Sequence, residues 1–570
     1  AAEEYDVAIA ADQRAIELAE LFRDLQFDEL DRMNFLNVVA SNYYRLSGSL
    51  LARRDRSAAD VELAFRTSEQ MRARSLLERL QLSNVPPVDP ANPLAVARRA
   101  TLTEIGAIQR RLVEQKLPEN ERALALAELD QLEAQERQQR TELARENPAF
   151  ARLRMPSPPS LAEVQSKAGP DEAIVVFQIA DRVNRHGLPD GGSWVTVITR
   201  EGTKVFTLPQ RRVLSQQIPM VGGLIVRRDA SAGPALARLY RDLLADAIDS
   251  LPPGVSRLTI VPDGMLYEVP FTALRETPDA APLVTRFEVS LTPSVSSLLR
   301  WRASEGPRST RILALALESG GPQSLFRAAG TLQTGLNLGA LPRAEQEARS
   351  IAEIVEDTEV HTGASASERF LKETGLDGFG VLHFATHAVM DRDYPERSAV
   401  VLAAGAEDED GLLQAREVVA LPLDGQVVVL SACSGAAGQP LRGEGLMSLA
   451  RAFLHAGAHS VIASRWPLAD RDALLLFERL YHHINRGETL AGALRGAQLD
   501  RIRAGAPAAA WAGVVILGRA DQVLRPRDSL AKVLRRAAEP RWLGVLAASF
   551  LAGFSLWMAW RRRPGRTRPR

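Results

Sequence analysis

The chain has 570 residues, which is enough for two to four domains and at least one large hydrophobic core. Its 70 basic and 70 acidic side chains give a formal net charge of zero, so the overall charge does not favour nucleic acid as a partner. One cysteine occurs in the whole sequence, which excludes an intramolecular disulfide and leaves the redox compartment open.

The first 90 residues predict a helical region. Residues 34–46 and 61–80 carry apolar side chains at three- and four-residue spacing. Patterns such as Ala64-Phe65 suggest a degenerate tetratricopeptide remnant, although no repeat of about 34 residues recurs. The N-terminal sequence AAEEYD suits a mature chain that has lost a secretory signal, and it suits a start chosen for recombinant expression equally well.

A second helical region follows the proline-rich break at residues 84–93. Residues 94–145 are rich in Leu, Gln, Glu and Arg, and Pro118 divides them. The pattern predicts two long antiparallel helices joined near residues 117–120, with a charged face toward solvent. Their apolar faces are formed by Leu102, Ile105 and Leu112 on the first helix and by Leu129 and Leu132 on the second.

From about residue 155 onward, short β-branched runs replace the helical pattern. Strand-like runs up to residue 310 are separated by turns and one helical segment, and from Arg311 near-continuous apolar strands alternate with helices. This alternation predicts an α/β fold with a mostly parallel sheet and helices on both faces. In such sheets, functional groups collect at the carboxyl ends of the strands.

Two of these strands end in candidate catalytic side chains. The run GVLHFATHA leads to His387, and VVVLSACSGAAG leads to Cys433. A nearby imidazole stabilises the thiolate that acts as the nucleophile, and the small residues after Cys433 let backbone N–H groups approach an oxyanion. A small, inert core cysteine is the alternative interpretation, and the pairing with His387 favours catalysis over it.

Other titratable clusters predict no further chemistry. His383 and His387 could form a histidine pair for a metal, but no third ligand follows at a recognisable spacing, which favours a core histidine bonded to the backbone. His482 and His483 are predicted on a helix surface, and the acids of residues 407–410 are predicted at a loop tip.

Several segments resemble, in order, the CHAT domain, a family of caspase-like cysteine peptidases related to separases and often fused to tetratricopeptide repeats. These segments are IVPDGMLYEVPFTAL, HFATHA, VVLSACSGA and GEGLMSLARAFLHAGAHSVIASRWPLADRDA, and the resemblance covers roughly residues 155–520. It implies a caspase-like fold, a protein or peptide substrate, and no cofactor or metal.

The resemblance also implies roles for individual residues. His387 would be the general base and acid, Cys433 the nucleophile, and the backbone N–H groups of Ala388 and Cys433 the oxyanion hole. Relatives often carry glycine at the position of Ala388, and many carry an acid at the position of Ser434. The alanine narrows the space beside the hole, and the serine alters the local charge.

The same resemblance places two candidate specificity residues after the strand HSVIASRW. Asp470 and Asp472 stand where separase-like enzymes carry an acid that pairs with a basic P1 side chain of the substrate. A carboxylate in a dry pocket selects Arg or Lys. The alternative is that both aspartates only cap the helix DALLLFERLYHHI, with Asp470 as its N-cap.

The C-terminal region predicts a membrane anchor. Residues 542–560 contain no charge and no proline, and as a helix they would be roughly 28 Å long, close to a bilayer core. A buried core helix is the alternative. Arginines flank both sides of the segment, so the charge rule leaves its orientation open. If a signal was removed, the body lies outside the cytoplasm, on the periplasmic side, and otherwise it lies on the cytoplasmic face.

Together with the resemblance, these patterns predict a membrane-anchored CHAT-family cysteine endopeptidase. The resemblance implies cleavage after Arg or Lys and activation by a protein that binds the N-terminal helices. Rearranging loops would follow Ala388 and Cys433. The alternative is a non-proteolytic signalling scaffold. The predicted parts are a tetratricopeptide-like remnant (1–90), a helical hairpin (91–154), a non-catalytic half (155–310), a catalytic half (311–525), a juxtamembrane segment (526–541), a transmembrane helix (542–560) and a basic tail (561–570).

Overall fold

The protein is described here by a computed structural model. It covers residues 2–23, 29–72, 76, 92–114, 118–146, 157–180, 191–317, 341–389, 397–403, 405–406, 409–431, 439–441, 445–447 and 449–524. Within these ranges every helix is too short or too polar to span a bilayer. The apolar segment 542–560 lies outside the described residues, so its insertion into a membrane stays a prediction.

The N-terminal region is helical, as predicted, and its helices are α1 (Ala2–Arg23), α2 (Glu29–Ala52) and α3 (Ala58–Met71). Ser57 starts α3 with a capping box, in which its hydroxyl accepts from the Asp60 N–H and the Asp60 carboxylate accepts from the Ser57 N–H. The helix ends at Met71, earlier than the apolar spacing predicts. Arg72 is extended there, and its guanidinium donates to the carbonyls of Phe177 and Pro262.

Two long helices follow, as the sequence predicts: α4 (Pro93–Glu114) and α5 (Glu119–Glu146). An ion pair of 2.7 Å between Arg98 and Glu136 joins them. Ile105 and Leu129 are buried and Leu132 packs beside them, whereas the side chains of Leu102 and Leu112 lie outside the described residues. We call α4 and α5 together the helical hairpin.

The first part of the main sheet contains the strands β1 (Glu172–Ile179), β2 (Ser193–Thr199), β3 (Gly202–Thr207), β4 (Arg257–Val261) and β5 (Glu288–Leu291). Around them lie the helices α6 (Leu161–Lys167), α7 (Arg211–Val226), α8 (Ala232–Leu243), α9 (Ala245–Asp249) and α10 (Val295–Ala303). β2 is antiparallel to β1 and β3, whereas β1, β4 and β5 are parallel.

The second part contributes the strands β6 (Ile312–Ala316), β7 (Thr358–Thr362), β8 (Val381–Ala385), β12 (Val427–Leu430), β15 (Ser460–Ser464) and β16 (Val514–Gly518) to the main sheet. Its helices are α11 (Ala344–Ile354), α12 (Glu368–Glu373), α13 (Ala415–Val418), α14 (Leu449–Ala456), α15 (Asp470–Asn485) and α16 (Leu490–Arg503). Shorter strands are β9 (Ala388–Val389), β10 (Ala399–Val401), β11 (Leu412–Gln414), β13 (Gln439–Leu441) and β14 (Gly445–Met447).

The two parts share one eleven-stranded sheet in the order β3-β2-β1-β4-β5-β16-β15-β12-β8-β6-β7. They meet where β5 pairs with β16, and β16 is antiparallel to β15. Helices cover both faces of the central strand β8, since His383 packs against Phe477 of α15 and Phe384 packs against Phe453 of α14. The structure therefore confirms the predicted α/β fold with a mostly parallel sheet and an N-terminal helical region.

In the first part of the sheet, an aspartate two residues after β4 serves as an anchor. The buried Asp263 carboxylate accepts from the Tyr44 hydroxyl at 2.8 Å and from the Ile179 N–H at 2.7 Å. Tyr44 lies on α2, so this strand end holds the N-terminal helices against the sheet. The sequence predicts no catalytic group at this strand end, and the geometry explains what the aspartate does there.

Candidate functional site

The candidate site lies where β8 and β12 end. These strands are parallel neighbours, and Phe384 of β8 is paired with Leu430 of β12. His387 follows Phe384 by three residues, and Cys433 follows Leu430 by the same number. Since parallel neighbours end at one edge of a sheet, both segments leave the sheet at the same edge. Cys433 itself lies outside the described residues.

His387 is buried in the short connection between β8 and β9. The strands β9, β10 and β11 form a small antiparallel sheet beside the main one. The Val401 N–H donates to the His387 carbonyl at 2.8 Å, and the Thr386 hydroxyl donates to the Val401 carbonyl. Strand β10 therefore fixes the backbone of His387 directly.

The same pairing orients the backbone of Ala388, the predicted oxyanion donor. Ala388 is opposite Val400, and the adjacent pair of His387 and Val401 carries the hydrogen bond. Ala388 therefore occupies a non-hydrogen-bonded position, where the N–H points away from the partner strand. Because β9 is an edge strand of the small sheet, this N–H is directed out of it.

A small cavity that is partly open to solvent lies at this edge. Its wall includes residues at or just beyond the ends of β8, β12 and β15, namely Thr386, Ser431 and Ser464. Two carboxyl side chains, Asp470 and Glu347, also line it. The cavity thus adjoins the segments that carry His387 and Cys433 and contains groups suited to a cationic ligand.

The structure separates the two candidate aspartates. Asp470 lines the cavity, whereas Asp472 lies 2.6 Å from the Arg501 guanidinium. The capping prediction is wrong for α15, because its N-cap is Ala469 and no side chain caps it. Instead, the Asp470 carboxylate accepts at 3.1 Å from the N–H of Arg343, the N-cap of the neighbouring helix α11.

Glu347 is a cavity residue that the sequence analysis missed. Its Oε1 lies 2.8 Å from Nε2 of the fully buried His383, whose Nδ1 lies 3.1 Å from the Tyr481 hydroxyl. His383 is thus a core histidine as predicted, but its partners are side chains rather than backbone. A signal for Glu347 exists in the sequence, because it shares the apolar face of α11 with Ala344 and Ile351.

Among the described residues, the carboxylates with spacing suitable for a metal ion are Glu368, Glu409 and Glu417. The Lys372 ammonium lies 2.7–2.8 Å from all three. This ammonium already supplies the positive charge that the cluster requires.

Two predictions about surface residues are wrong. Asp410 is buried, and its carboxylate accepts from the Leu412 N–H at the start of β11. Burial, and to a smaller extent the nearby charge of Glu417, raises the pKa of Asp410 to about 7. His483 is also buried, with its ring nitrogens 2.7 Å from Glu488 and 3.2 Å from Asp500. His482 is on the helix surface, as predicted.

Comparison with known families identifies the class of protein. The CHAT domain family matches residues 233–519, which is just over half of the chain. The chain therefore belongs to the CHAT domain family. The sequence of this chain is also similar to Tetratricopeptide repeat protein 28 of Homo sapiens, with 25% identity over 352 residues, and of Mus musculus, with 26% identity over 360 residues. Each match covers 54% of this chain and 14% of the relative's length.

Comparison with solved structures gives matches of low similarity. The separase–securin complex of Saccharomyces cerevisiae matches with a TM-score of 0.46 and 10% identity, covering 90% of this chain and 40% of that chain. The complex of Porphyromonas gingivalis RgpB pro- and mature domains matches with a TM-score of 0.34 and 11% identity, covering 56% of this chain and 79% of that chain.

Proposed function

We propose that the chain is a cysteine endopeptidase with Cys433 as nucleophile and His387 as general base and acid. The observation that carries the proposal is the pairing of β8 with β12, from which the two residues follow at equal distance in sequence. Membership of the CHAT family supports the same assignment. The test is cleavage of a peptide library by the wild-type chain and by Cys433→Ala.

The reaction follows from the groups at this edge. His387 takes the thiol proton of Cys433, and the thiolate attacks the carbonyl carbon of the scissile peptide bond. The backbone N–H of Ala388, which points away from β10, and the backbone N–H of Cys433 donate to the oxyanion. The imidazolium then protonates the leaving amine, and water, deprotonated by His387, hydrolyses the thioester and restores the thiol.

The proposed substrate carries a basic side chain at P1. Asp470 and Glu347 bring carboxyl groups to the cavity wall, and the pairing of Glu347 with His383 leaves Asp470 as the main candidate partner. The Arg343 Nε lies 4.0 Å from Asp470, in a loose and half-exposed contact. A substrate guanidinium with bidentate geometry would displace such a contact.

Asp470→Asn is expected to lower kcat/KM for peptides with Arg or Lys at P1 by about 10- to 100-fold, because a charged hydrogen bond is lost. Asp472→Asn is the matched control, since Asp472 lies two residues away but pairs with Arg501 instead. The measurement is kcat/KM on peptides that differ only at P1. Equal losses in the two variants, or an unchanged preference in Asp470→Asn, would contradict this role.

We further propose that a protein partner activates the enzyme through the helices before the sheet. The support is that Tyr44 on α2 and Glu133 on α5 both form buried polar contacts with the α/β body. The rival function, a scaffold that binds partners without proteolysis, predicts that Cys433→Ala changes no property of the protein.

A further inference from the structure

A buried carboxylate joins the helical hairpin to the small sheet beside His387. Glu133 lies on α5, and its side chain is 4% exposed. Arg397 grips it with two hydrogen bonds, from Nε to Oε1 at 3.1 Å and from Nη2 to Oε2 at 2.8 Å. Arg416 adds a third, from Nη1 to Oε1 at 3.1 Å. Bidentate arginine–carboxylate contacts of this kind fix geometry as well as charge.

Both arginines flank strands of the small sheet. Arg397 precedes β10 by two residues, and Arg416 lies in α13, directly after β11. Around the polar contact, Ile105 and Leu129 of the hairpin form one apolar cluster with Ala399, Val401 and Leu412 of β10 and β11. The hairpin therefore forms part of the packing that sets the position of β10.

Strand β10 contacts the backbone of the candidate catalytic residues directly. Val401 donates to the His387 carbonyl at 2.8 Å, and Val400 is paired with Ala388. A displacement of β10 would move the imidazole and the oxyanion donor together. Misplacement of a catalytic group by about 1 Å costs on the order of 100-fold in rate.

The negative charge of Glu133 stabilises its contact with Arg397 and Arg416 at neutral pH. Burial raises the pKa of Glu133, but the hydrogen bond from Arg397 and the charges of Arg416 and Arg397 outweigh burial and leave the pKa lowered. Asp130, the other acid facing this group, lies 3.3 Å from Arg397 and is exposed. The carboxylate is therefore ionised at neutral pH and holds both guanidinium groups.

We propose that Glu133 is a positioning residue for the reaction, which holds β10 and through it His387 and Ala388 in the catalytic arrangement. This inference rests on the proposed peptidase function. It connects the helical hairpin to the site through β10.

The test compares Glu133→Gln with Glu136→Gln in the full chain. Glu136 is equally buried on α5 but pairs with Arg98 inside the hairpin, so its loss does not touch the small sheet. We expect Glu133→Gln to lower kcat by about tenfold or more with little change in KM, and Glu136→Gln to leave kcat near that of the wild type.

A second readout does not depend on activity. The His387 Cε1–H resonance in an NMR spectrum, assigned by its loss in His387→Ala, is expected to shift in Glu133→Gln and not in Glu136→Gln. If Glu133→Gln fails to fold, the test uses Arg397→Lys instead. This variant keeps the positive charge but loses the bidentate hydrogen bonds to Glu133. An unshifted resonance with wild-type kcat would overturn the inference. If the wild type cleaves no peptide and the apparent pKa of the Cys433 thiol is the same in His387→Ala, the proposed function is wrong, and this inference is not the cause of the failure.

Discussion

Replacing Cys433 by alanine is expected to abolish peptide cleavage while the protein keeps its fold. The nucleophile forms the covalent intermediate, so its loss should lower kcat/KM by at least about 10³-fold. His387→Ala should be nearly as damaging, and the double variant no worse than either, because the two residues act as a unit. The measurement is the rate at which peptides from a library are cut, read by mass spectrometry.

The matched control for His387→Ala is His482→Ala. His482 is a partly exposed histidine on α15, and its removal should leave cleavage unchanged. Retained cleavage in Cys433→Ala would show that another group performs the reaction. A comparable loss in both histidine variants would show that the effect of His387→Ala is not specific to the site.

The largest expected effect on stability comes from Glu172→Ala. The Glu172 carboxylate accepts from Arg302 at 2.6 Å, from the Thr259 hydroxyl at 2.5 Å and from the Gly169 N–H at 3.1 Å. Arg302 also contacts Asp521, which follows β16, so this network joins the two parts of the sheet. Removing one partner of a buried ion pair should lower the free energy of unfolding by about 3–5 kcal/mol.

The neighbouring variant Asp171→Ala serves as the control for Glu172→Ala. Asp171 pairs with Arg257 at 2.6 Å but is 41% exposed, so its loss should cost no more than about 1 kcal/mol. The measurement is urea unfolding of both variants and the wild type. Equal losses in the two variants would mean that burial of the Glu172 network does not contribute as argued.

The effect of Glu172→Ala should also depend on pH. Burial raises the pKa of Glu172, but the hydrogen bond and charge of Arg302 outweigh burial and leave the pKa lowered. A lowered pKa in the folded state contributes stability that is present above the unfolded pKa of about 4.3 and is lost as the pH falls through the folded pKa. The difference between wild type and variant should therefore be full near neutral pH and shrink in acid. A constant difference would contradict this assignment.

The main sheet could be predicted because its signals are local. Apolar runs such as VVVL and VLHFA are buried at every position, and continuous burial is what a parallel strand between helices requires. The place of His387 just beyond β8 then follows from the rule that strand ends carry the chemistry of an α/β sheet, whereas the pairing with Cys433 stays a prediction. The end of α3 at Met71 was not predicted, because Arg72 forms hydrogen bonds with carbonyl groups more than 100 residues away in the sequence.

The polar contacts that complete the site could not be predicted in the same way. Glu133 and Arg397 are separated by 264 residues, and Asp470 and Arg343 by 127, so no spacing along the chain reveals them. Asp410 lies in an acidic run that is typical of exposed loops, and only the three-dimensional packing shows that it is buried. Such pairs depend on how separate elements dock, which periodicity does not encode.

The most direct test of the proposed dyad uses the single thiol of the chain, because every alkylation event then reports Cys433. The rate of iodoacetamide labelling is followed across pH in the wild type, in His387→Ala and in the control His482→Ala. We expect an apparent thiol pKa well below the reference of about 8.5, rising in His387→Ala and unchanged in His482→Ala. A thiol with an ordinary pKa that does not respond to His387→Ala would contradict the dyad and favour the scaffold.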